Sequence, residues 1–313
     1  MIEAVFVILH YNEKSLKDTY ECVESIKRIT NKKESKIIIV ENGSFDKSAE
    51  NLIEKYKFDK MIEIVISKEN LGFAKGNNLG CKIAIEKYFP EFLVVLNNDT
   101  YIEQEDFLKK LKLIYKIEKF HILGPYIFNK NLEPQNPQVK LLTNIDEVEK
   151  ALEKSKKILI NIENTNVIYF FIESLKRIIE SNKFLEKIIK KILGKEKETV
   201  KYANKKLKNI GLHGSCLIFS REYYKKYNNI FYPETFLYVE EDILYHRVLK
   251  DNLVSLYHPE LKIFHKEDVS TDAMLFSSNQ KKKFIIKNII KSLEIYRDLL
   301  KNEKRESEGL WKE

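Results

Sequence analysis

The chain has 313 residues, 43% of them hydrophobic and 33% charged, with a formal charge of +8, and a chain of that size buries one large core or two smaller ones. Its most apolar runs, Phe92 to Leu96 and Ile285 to Ile290, fall far short of the roughly 20 residues that a membrane-crossing helix needs. Three widely spaced cysteines, Cys22, Cys81 and Cys216, draw neither a disulfide framework nor a zinc spacing and read as buried thiols.

Ala4 to Leu9 is a short apolar run of β-forming residues. The start, Met1-Ile2-Glu3, passes into it without the basic and long apolar regions of a secretory signal, so a cytoplasmic location is expected. Leu16 to Ile29 carries apolar residues at helical spacing, and Lys36 to Val40 reads as a second buried strand. Ser44 or Asp46 can cap a helix reaching about Tyr56. Ile62 to Ser67 makes a third strand, Ala74 to Tyr88 a helix, and Phe92 to Leu96 a fourth strand ending in Asn97-Asn98-Asp99. Continuous apolar strands separated by helices predict a parallel sheet covered on both faces, with ligands beyond the carboxyl ends of its strands. Tyr11-Asn12, Glu41-Asn42-Gly43-Ser44 and Asn97-Asn98-Asp99 all follow strand ends, so they are expected to converge on one crevice.

The rhythm breaks from about Asn129 to Asn209. Pro134 and Pro137 mark a loop, after which Ile168, Phe171, Ile172, Leu175, Ile178 and Ile179 recur at helical spacing, continued by Leu185, Ile189, Ile192 and Leu193. Lys176, Arg177, Lys183, Lys187, Lys190 and Lys191 cluster around this stripe, and Ala151 to Ile210 holds 15 Lys and Arg against 7 Glu, the whole basic excess of the chain. Two accounts stand: residues 168–193 lie on an anionic membrane surface, or the stripe packs on the core or a partner subunit, which is favoured. Nucleic-acid binding is excluded, because aliphatic residues rather than base-stacking aromatics accompany the cations. Leu212 to Ser220 and Val254 to Phe264 again read as strands, with helix-like Asp242 to Lys250 between them, and a helix follows from Lys281.

Several side chains could carry chemistry. Asp99 lies just beyond a buried strand, and a hard divalent cation that also holds a diphosphate needs only one or two protein carboxylates; a capping turn accounts for Asn98-Asp99 equally well. Asn70 to Asn78 is a Gly- and Asn-rich strand-to-helix junction whose amides could meet a ribose or phosphate. Its glycines, four apart, fit neither the dinucleotide fingerprint nor a P-loop. Glu240-Glu241-Asp242 is either an acidic helix start or the seat of a general base. His265, followed by Ser270, could complete a metal shell or contact phosphate.

In their order these motifs resemble glycosyltransferase family 2, inverting enzymes of the GT-A fold, and especially its bacterial rhamnosyltransferase-like branch. The resemblance runs from Val5 to about Ser270, apart from much of Asn129 to Asn209. Leu9-His10-Tyr11-Asn12 is similar to the opening strand and its Tyr-Asn turn, Glu41-Asn42-Gly43-Ser44 to an Asp-Asn-Gly-Ser motif, and Asn70 to Asn78 matches Asn-x-Gly-Phe-Ala-x-Gly-Asn-Asn almost letter for letter. Leu96 to Asp99 resembles the family's D-x-D-type motif, Gly214-Ser215-Cys216 its Gly-Ser/Ala-Cys segment, Phe236 to Glu241 its Phe-x-Tyr-x-Glu-Asp motif, and His265 its late histidine.

The resemblance implies an α/β protein of GT-A fold: a Rossmann-like, mostly parallel sheet flanked by helices, with a helical insertion and a C-terminal helix. Residues 1–128 would be the nucleotide-sugar half, 129–209 a basic insertion, 210–280 the acceptor and catalytic half, and 281–313 a helical tail. It implies an inverting, metal-dependent hexosyl- or rhamnosyltransferase that moves a sugar from a UDP- or dTDP-linked donor to a hydroxyl of a glycan or lipid-linked glycan, in cell-surface polysaccharide synthesis. Tyr11, Asn12, Glu41, Asn42, Gly72, Lys75, Asn78, Asn97, Asn98 and Asp99 would bind the donor, and Gly214, Ser215 and Glu240 the acceptor. Mn²⁺ or Mg²⁺ would sit on Asp99 and His265, and Glu241 would be the base with Asp242 as its rival. Two departures stand out: Glu241 replaces the usual Asp, and Glu41 replaces the Asp that meets uracil, which loosens the expectation for the donor base. The competing classes are a non-catalytic sugar-binding homologue and a nucleotidyltransferase that forms nucleotide sugars; Tyr11-Asn12-Glu13-Lys14 lacks the Gly-rich, Arg-containing loop of the latter. A location at the inner face of the cell membrane would follow if the basic stripe binds lipid, and the oligomeric state stays open.

Overall fold

The structure, a computed structural model, describes residues 2–30, 33–172, 198–266 and 278–307. In the first strand, β1 (Ala4–His10), side chains alternate between two apolar layers: Ala4, Phe6 and Ile8 enter one and Val5 and Val7 the other. The period of two puts an apolar side chain on each face at every step, so this strand is buried on both sides. It lies between β2 (Ser35–Glu41) and β4 (Phe92–Asn97), parallel to both, and β3 (Ile62–Ile66) extends the parallel array beyond β2.

On its far side β4 pairs antiparallel with β8 (Cys216–Ser220), β8 with β6 (Ile122–Phe128), and β6 runs parallel to β9 (Ser255–His265). The two-residue strands β5 (Thr100–Tyr101) and β7 (Leu207–Lys208) add to β9. The sheet order is β3-β2-β1-β4-β8-β6-β9-β5. It is a mostly parallel mixed sheet flanked by helices. The expected parallel array holds for the first four strands and gives way at β8, because that strand arrives from a long excursion rather than from a short βα crossover.

Helices α1 (Leu16–Ile29), α2 (Ser48–Tyr56) and α4 (Phe107–Glu118) cover one face, with Val23, Ile26, Leu52, Phe107 and Leu111 in that layer. The other face takes α3 (Gly72–Tyr88), α7 (Arg221–Tyr224) and α8 (Glu240–Lys250). A third core joins α5 (Ile145–Ile172) and α9 (Ser278–Ser307) to Val239 and Ile243 at the start of α8. A short helix, α6 (Glu198–Tyr202), precedes β7. The basic stripe at 168–193 and Ser270 lie outside the residues whose side chains are described. Among the described residues no helix is long and apolar enough to cross a membrane.

Candidate active site

The ends of β1, β2 and β4 open on a cavity of about 280 Å³ whose opposite wall is built by residues 213–215, 236–238, 240 and 241. Tyr11, Asn42, Gly72, Asn97 and Asn98 line it from the first half of the chain. Asn42 is buried and joins β2 to the start of α3: its Oδ1 accepts from Leu71 N at 3.0 Å, and its Nδ2 donates to Asn70 Oδ1 and Gly72 O. Gly72 has φ +74°, and a Cβ there would stand 2.3 Å from Phe236 O. Only glycine permits both that backbone and that approach. Phe73 N donates to Phe236 O at 2.7 Å, so the Asn70 to Asn78 segment is tied to the opposite wall of the cavity.

Other residues expected at the donor are committed elsewhere. Asn78 spends both amide atoms on the backbone of Phe231, Asn12 Oδ1 caps the turn at Lys14 N, and Lys75 is exposed; none of them lines the cavity. Glu41 is buried, accepts from Ser44 N at 3.0 Å and Ser48 Oγ at 3.2 Å, and is likewise absent from the lining. Asn78 and Glu41 hold loops, because a buried side chain must satisfy its polar atoms locally. Asn98 lines the cavity while its Nδ2 donates to Thr19 Oγ1 at 3.0 Å, and Thr19 Oγ1 meets His10 Nδ1 at 2.7 Å. Burial holds the His10 imidazole down to about 4, partly offset by Asp46.

Asp99 and His265 meet through strand pairing. Thr100 stands opposite His265 in the β5–β9 ladder, and Lys266 N donates to Asp99 O at 3.0 Å. Lys266 is itself anchored to Asp18 and Glu21 of α1. His265 Nε2 lies 3.3 Å from Asp99 Oδ1, a buried oxygen that accepts no hydrogen bond. His265 Nδ1 lies 2.7 Å from Gln135 Oε1. An amide oxygen only accepts, so Nδ1 carries a proton, and Nε2 faces the carboxylate either as a second N–H or as a lone pair. A positive charge between them is supplied by a ring proton in the first state and by a cation in the second, and one nitrogen with one carboxylate oxygen suits Mn²⁺ or Mg²⁺. Among the described residues no group of three or more His, Cys, Asp or Glu gathers around a common point.

The acidic triplet splits three ways. Tyr238 and Val239 both have φ 71°, a conformation that costs a β-branched residue about 1–3 kcal/mol. Val239 is buried against α9, whose Ser292 Oγ donates to Leu237 O at 2.8 Å, so packing holds the turn. The sharp reversal starts α8 with Glu240 and Glu241 on the cavity wall. Glu241 Oε1 accepts from Gly214 N at 3.1 Å. Glu240 is buried, its Oε1 takes no hydrogen bond, and burial followed by the charge of Glu241 raises its pKa well above the usual carboxylate range. Asp242 faces away: its Oδ1 accepts from Leu142 N at 2.7 Å and it does not line the cavity.

Three residues absent from the sequence reading belong here, His213 in the wall and Gln135 and Asn136 behind the two histidines. His213 lines the cavity, and its ring centroid lies 5.8 Å from that of His265. Gln135 orients His265, and the neighbouring Asn136, fully buried, accepts from His213 N at 3.0 Å. A histidine directly before Gly214-Ser215 was the available signal. Gln135 and Asn136 gave none, since they sit in the Pro134 to Pro137 loop, 130 residues from His265.

A family model described as Glycosyl transferase family 2 matches residues 5–228. The chain is 24% identical over 133 residues to the low-salt glycan biosynthesis hexosyltransferase Agl10 of Haloferax volcanii, across 42% of this chain and 39% of that protein. The match thus spans about two fifths of that relative's length. Among solved structures, GalNAc-T7 with UDP, GalNAc and Mn²⁺ superposes with a TM-score of 0.52 at 10% identity, covering 91% of this chain and 47% of that one. TarS 1-349 of S. aureus in complex with UDP gives 0.50 at 13% identity, covering 90% and 68%. These two likenesses are likenesses of fold, the GT-A arrangement.

Proposed function

The chain belongs to glycosyl transferase family 2, and from that membership we propose that it is an inverting, metal-dependent glycosyltransferase, moving a hexosyl or rhamnosyl group from a UDP- or dTDP-linked donor to a hydroxyl of a glycan or lipid-linked glycan. Cell-surface polysaccharide synthesis is the setting, in the cytoplasm or at the inner face of the membrane. The observation that carries this reading is one cavity with Asn97 and Asn98 on one wall and a carboxylate, Glu241, on the other.

The donor enters over Tyr11, Asn42 and Gly72, which line the cavity at the strand ends. Asp99 and His265 would hold Mn²⁺ or Mg²⁺, which when bound neutralises charge on the departing diphosphate. Glu241 takes the proton of the acceptor hydroxyl as that oxygen attacks the anomeric carbon from the opposite face, which inverts configuration. Gly214 N–H fixes the Glu241 carboxylate, whereas Asp242 is engaged by the Leu142 backbone; this supports Glu241 over Asp242 as base. Glu240, with a raised pKa and an unpartnered buried oxygen, is suited to donate to or accept from a sugar hydroxyl beside it. UDP in the fold neighbours supports a uridine donor, and Mn²⁺ in one of them supports the metal.

Two measurements test the proposal. Thermal shift with UDP, dTDP and GDP, each with and without Mn²⁺, should show a metal-dependent rise for one nucleotide. Glu241→Gln should lower turnover about 10²- to 10⁴-fold while donor binding survives. An inactive Asp242→Asn beside an active Glu241→Gln would move the base to Asp242. No donor hydrolysis or transfer with any nucleotide sugar would favour a non-catalytic sugar-binding homologue. Liposome flotation with Lys-to-Glu changes at Lys187, Lys190 and Lys191 tests the membrane account of residues 168–193.

A further inference from the structure

Asp99 and His265 face each other because two short stretches of chain lie side by side. The β5–β9 ladder beside them has two rungs, Thr100 to His265 and Tyr101 to Phe264, and β5 is the last strand of the sheet. A pairing that short is marginal by itself. Its reinforcement comes from α1, where Asp18 and Glu21, three residues apart, share one face of the helix. Lys266, directly after His265, places Nζ 2.6 Å from Asp18 Oδ1 and 2.7 Å from Glu21 Oε2. Tyr101, two residues after Asp99, brings its hydroxyl to the same two oxygens, at 3.2 Å and 2.8 Å. Each strand of the ladder thus sends one arm to a single pair of carboxylates.

The arms also close on each other. Lys266 Nζ lies 4.8 Å from the centroid of the Tyr101 ring, and that ring lies 5.8 Å from Phe264. Asp18 and Tyr101 are buried and the Lys266 side chain is 31% exposed, so the ammonium meets its carboxylates in partly dry surroundings, where charge-assisted hydrogen bonds are short and strong. The backbone of the same residue completes the clamp. Lys266 N donates to Asp99 O at 3.0 Å, while the peptide bond before it leads to His265. Between these restraints His265 Nε2 stands 3.3 Å from Asp99 Oδ1.

We propose that Lys266 is a positioning residue for the metal pair: its side chain, fixed together with that of Tyr101 to Asp18 and Glu21, holds β9 against β5 so that Asp99 and His265 keep a spacing that one divalent cation bridges. This rests on the metal-dependent glycosyltransferase reading above. Charge and position predict opposite signs. The ammonium belongs to the residue next to His265 and repels a cation there, so by its field alone its loss would tighten metal binding. Position predicts the reverse, because without the clamp the two ligands drift apart, and outer-shell support of metal ligands is worth about 10- to 100-fold in affinity.

Calorimetry with UDP in Mn²⁺ and again in EDTA tests this, the gain in affinity between the two measuring the metal; dTDP replaces UDP if the wild-type protein prefers it. Lys266→Met, which keeps the stem and removes the ammonium, should lose about 10- to 100-fold of that gain, or all of a smaller one. Its UDP affinity in EDTA should match wild type, which reports an intact nucleotide site. Lys266→Arg, which reaches the same two carboxylates, should keep the gain. Tyr101→Phe, which withdraws the other arm without changing charge, should lose part of it. A wild-type protein that binds no nucleoside diphosphate, or binds it equally with and without Mn²⁺, overturns the metal-dependent reading and this inference together. A wild-type gain that Lys266→Met keeps or increases overturns this inference alone.

Discussion

Gly214→Ala is the smallest change that reaches Glu241. A Cβ at this position would stand 3.0 Å from Glu241 Oε1, 3.4 Å from Cδ and 3.5 Å from Cγ. Gly214 is not among the glycines with positive φ, so alanine fits the backbone. The crowding falls on the end of a side chain, which yields by a few tenths of an ångström. That displacement draws the carboxylate away from Gly214 N, now 3.1 Å distant, toward the limit of a useful hydrogen bond. A full 1 Å misplacement at a reacting centre costs about 10²-fold, so a shift of this size should lower kcat about 3- to 10-fold, with diphosphate affinity unchanged. Steady-state kinetics at saturating donor, paired with UDP calorimetry, reads both quantities. If kcat stays within twofold of wild type, or if UDP affinity falls in step with kcat, Glu241 does not act as argued.

Three further outcomes are expected. Gln135→Leu removes the acceptor that sets the His265 tautomer and should weaken Mn²⁺ binding about 10- to 100-fold in calorimetry, with Gln135→Glu restoring it. His10 has its pKa depressed from 6.5 to about 4, so the unfolded chain takes up the proton first. Stability present above pH 6.5 is therefore lost as pH falls toward 4, by about 3 kcal/mol at roughly 1.4 kcal/mol per pH unit; His10→Gln should flatten denaturant midpoints across that window. Glu240 has its pKa raised, so the unfolded chain ionises first and stability declines as pH rises above the ordinary carboxylate range. Glu240→Gln should melt a few degrees higher than wild type at pH 8, and the difference should close toward pH 4.

The first four strands and the helices between them were legible because their physics is local. Alternating or continuous apolar runs specify strands buried on both faces, and helical spacing specifies what covers them. Leu9 to Asn12, Asn70 to Asn78 and Leu96 to Asp99 stood out because they follow strand ends, and the cavity is lined by members of each. Yet residues of one motif parted company: Gly72 reached the cavity while Lys75 and Asn78 did not, since neighbouring positions on a helix point in different directions.

What only the tertiary structure decided concerns pairs far apart in the chain. Strand order beyond β4, the β5–β9 register that sets Asp99 against His265, and the Gln135-Asn136 loop behind both histidines all depend on long-range contacts. The three acids at 240–242 read alike in sequence and differ in space: Glu240 is buried without a hydrogen bond to Oε1, Glu241 is held on the cavity wall by Gly214, and Asp242 is turned to Leu142. A left-handed turn at Tyr238 and Val239, held by α9 from the far end of the chain, makes that difference. Local pattern specifies which faces are apolar; the polar partner that each buried group finds depends on how the whole chain closes around it.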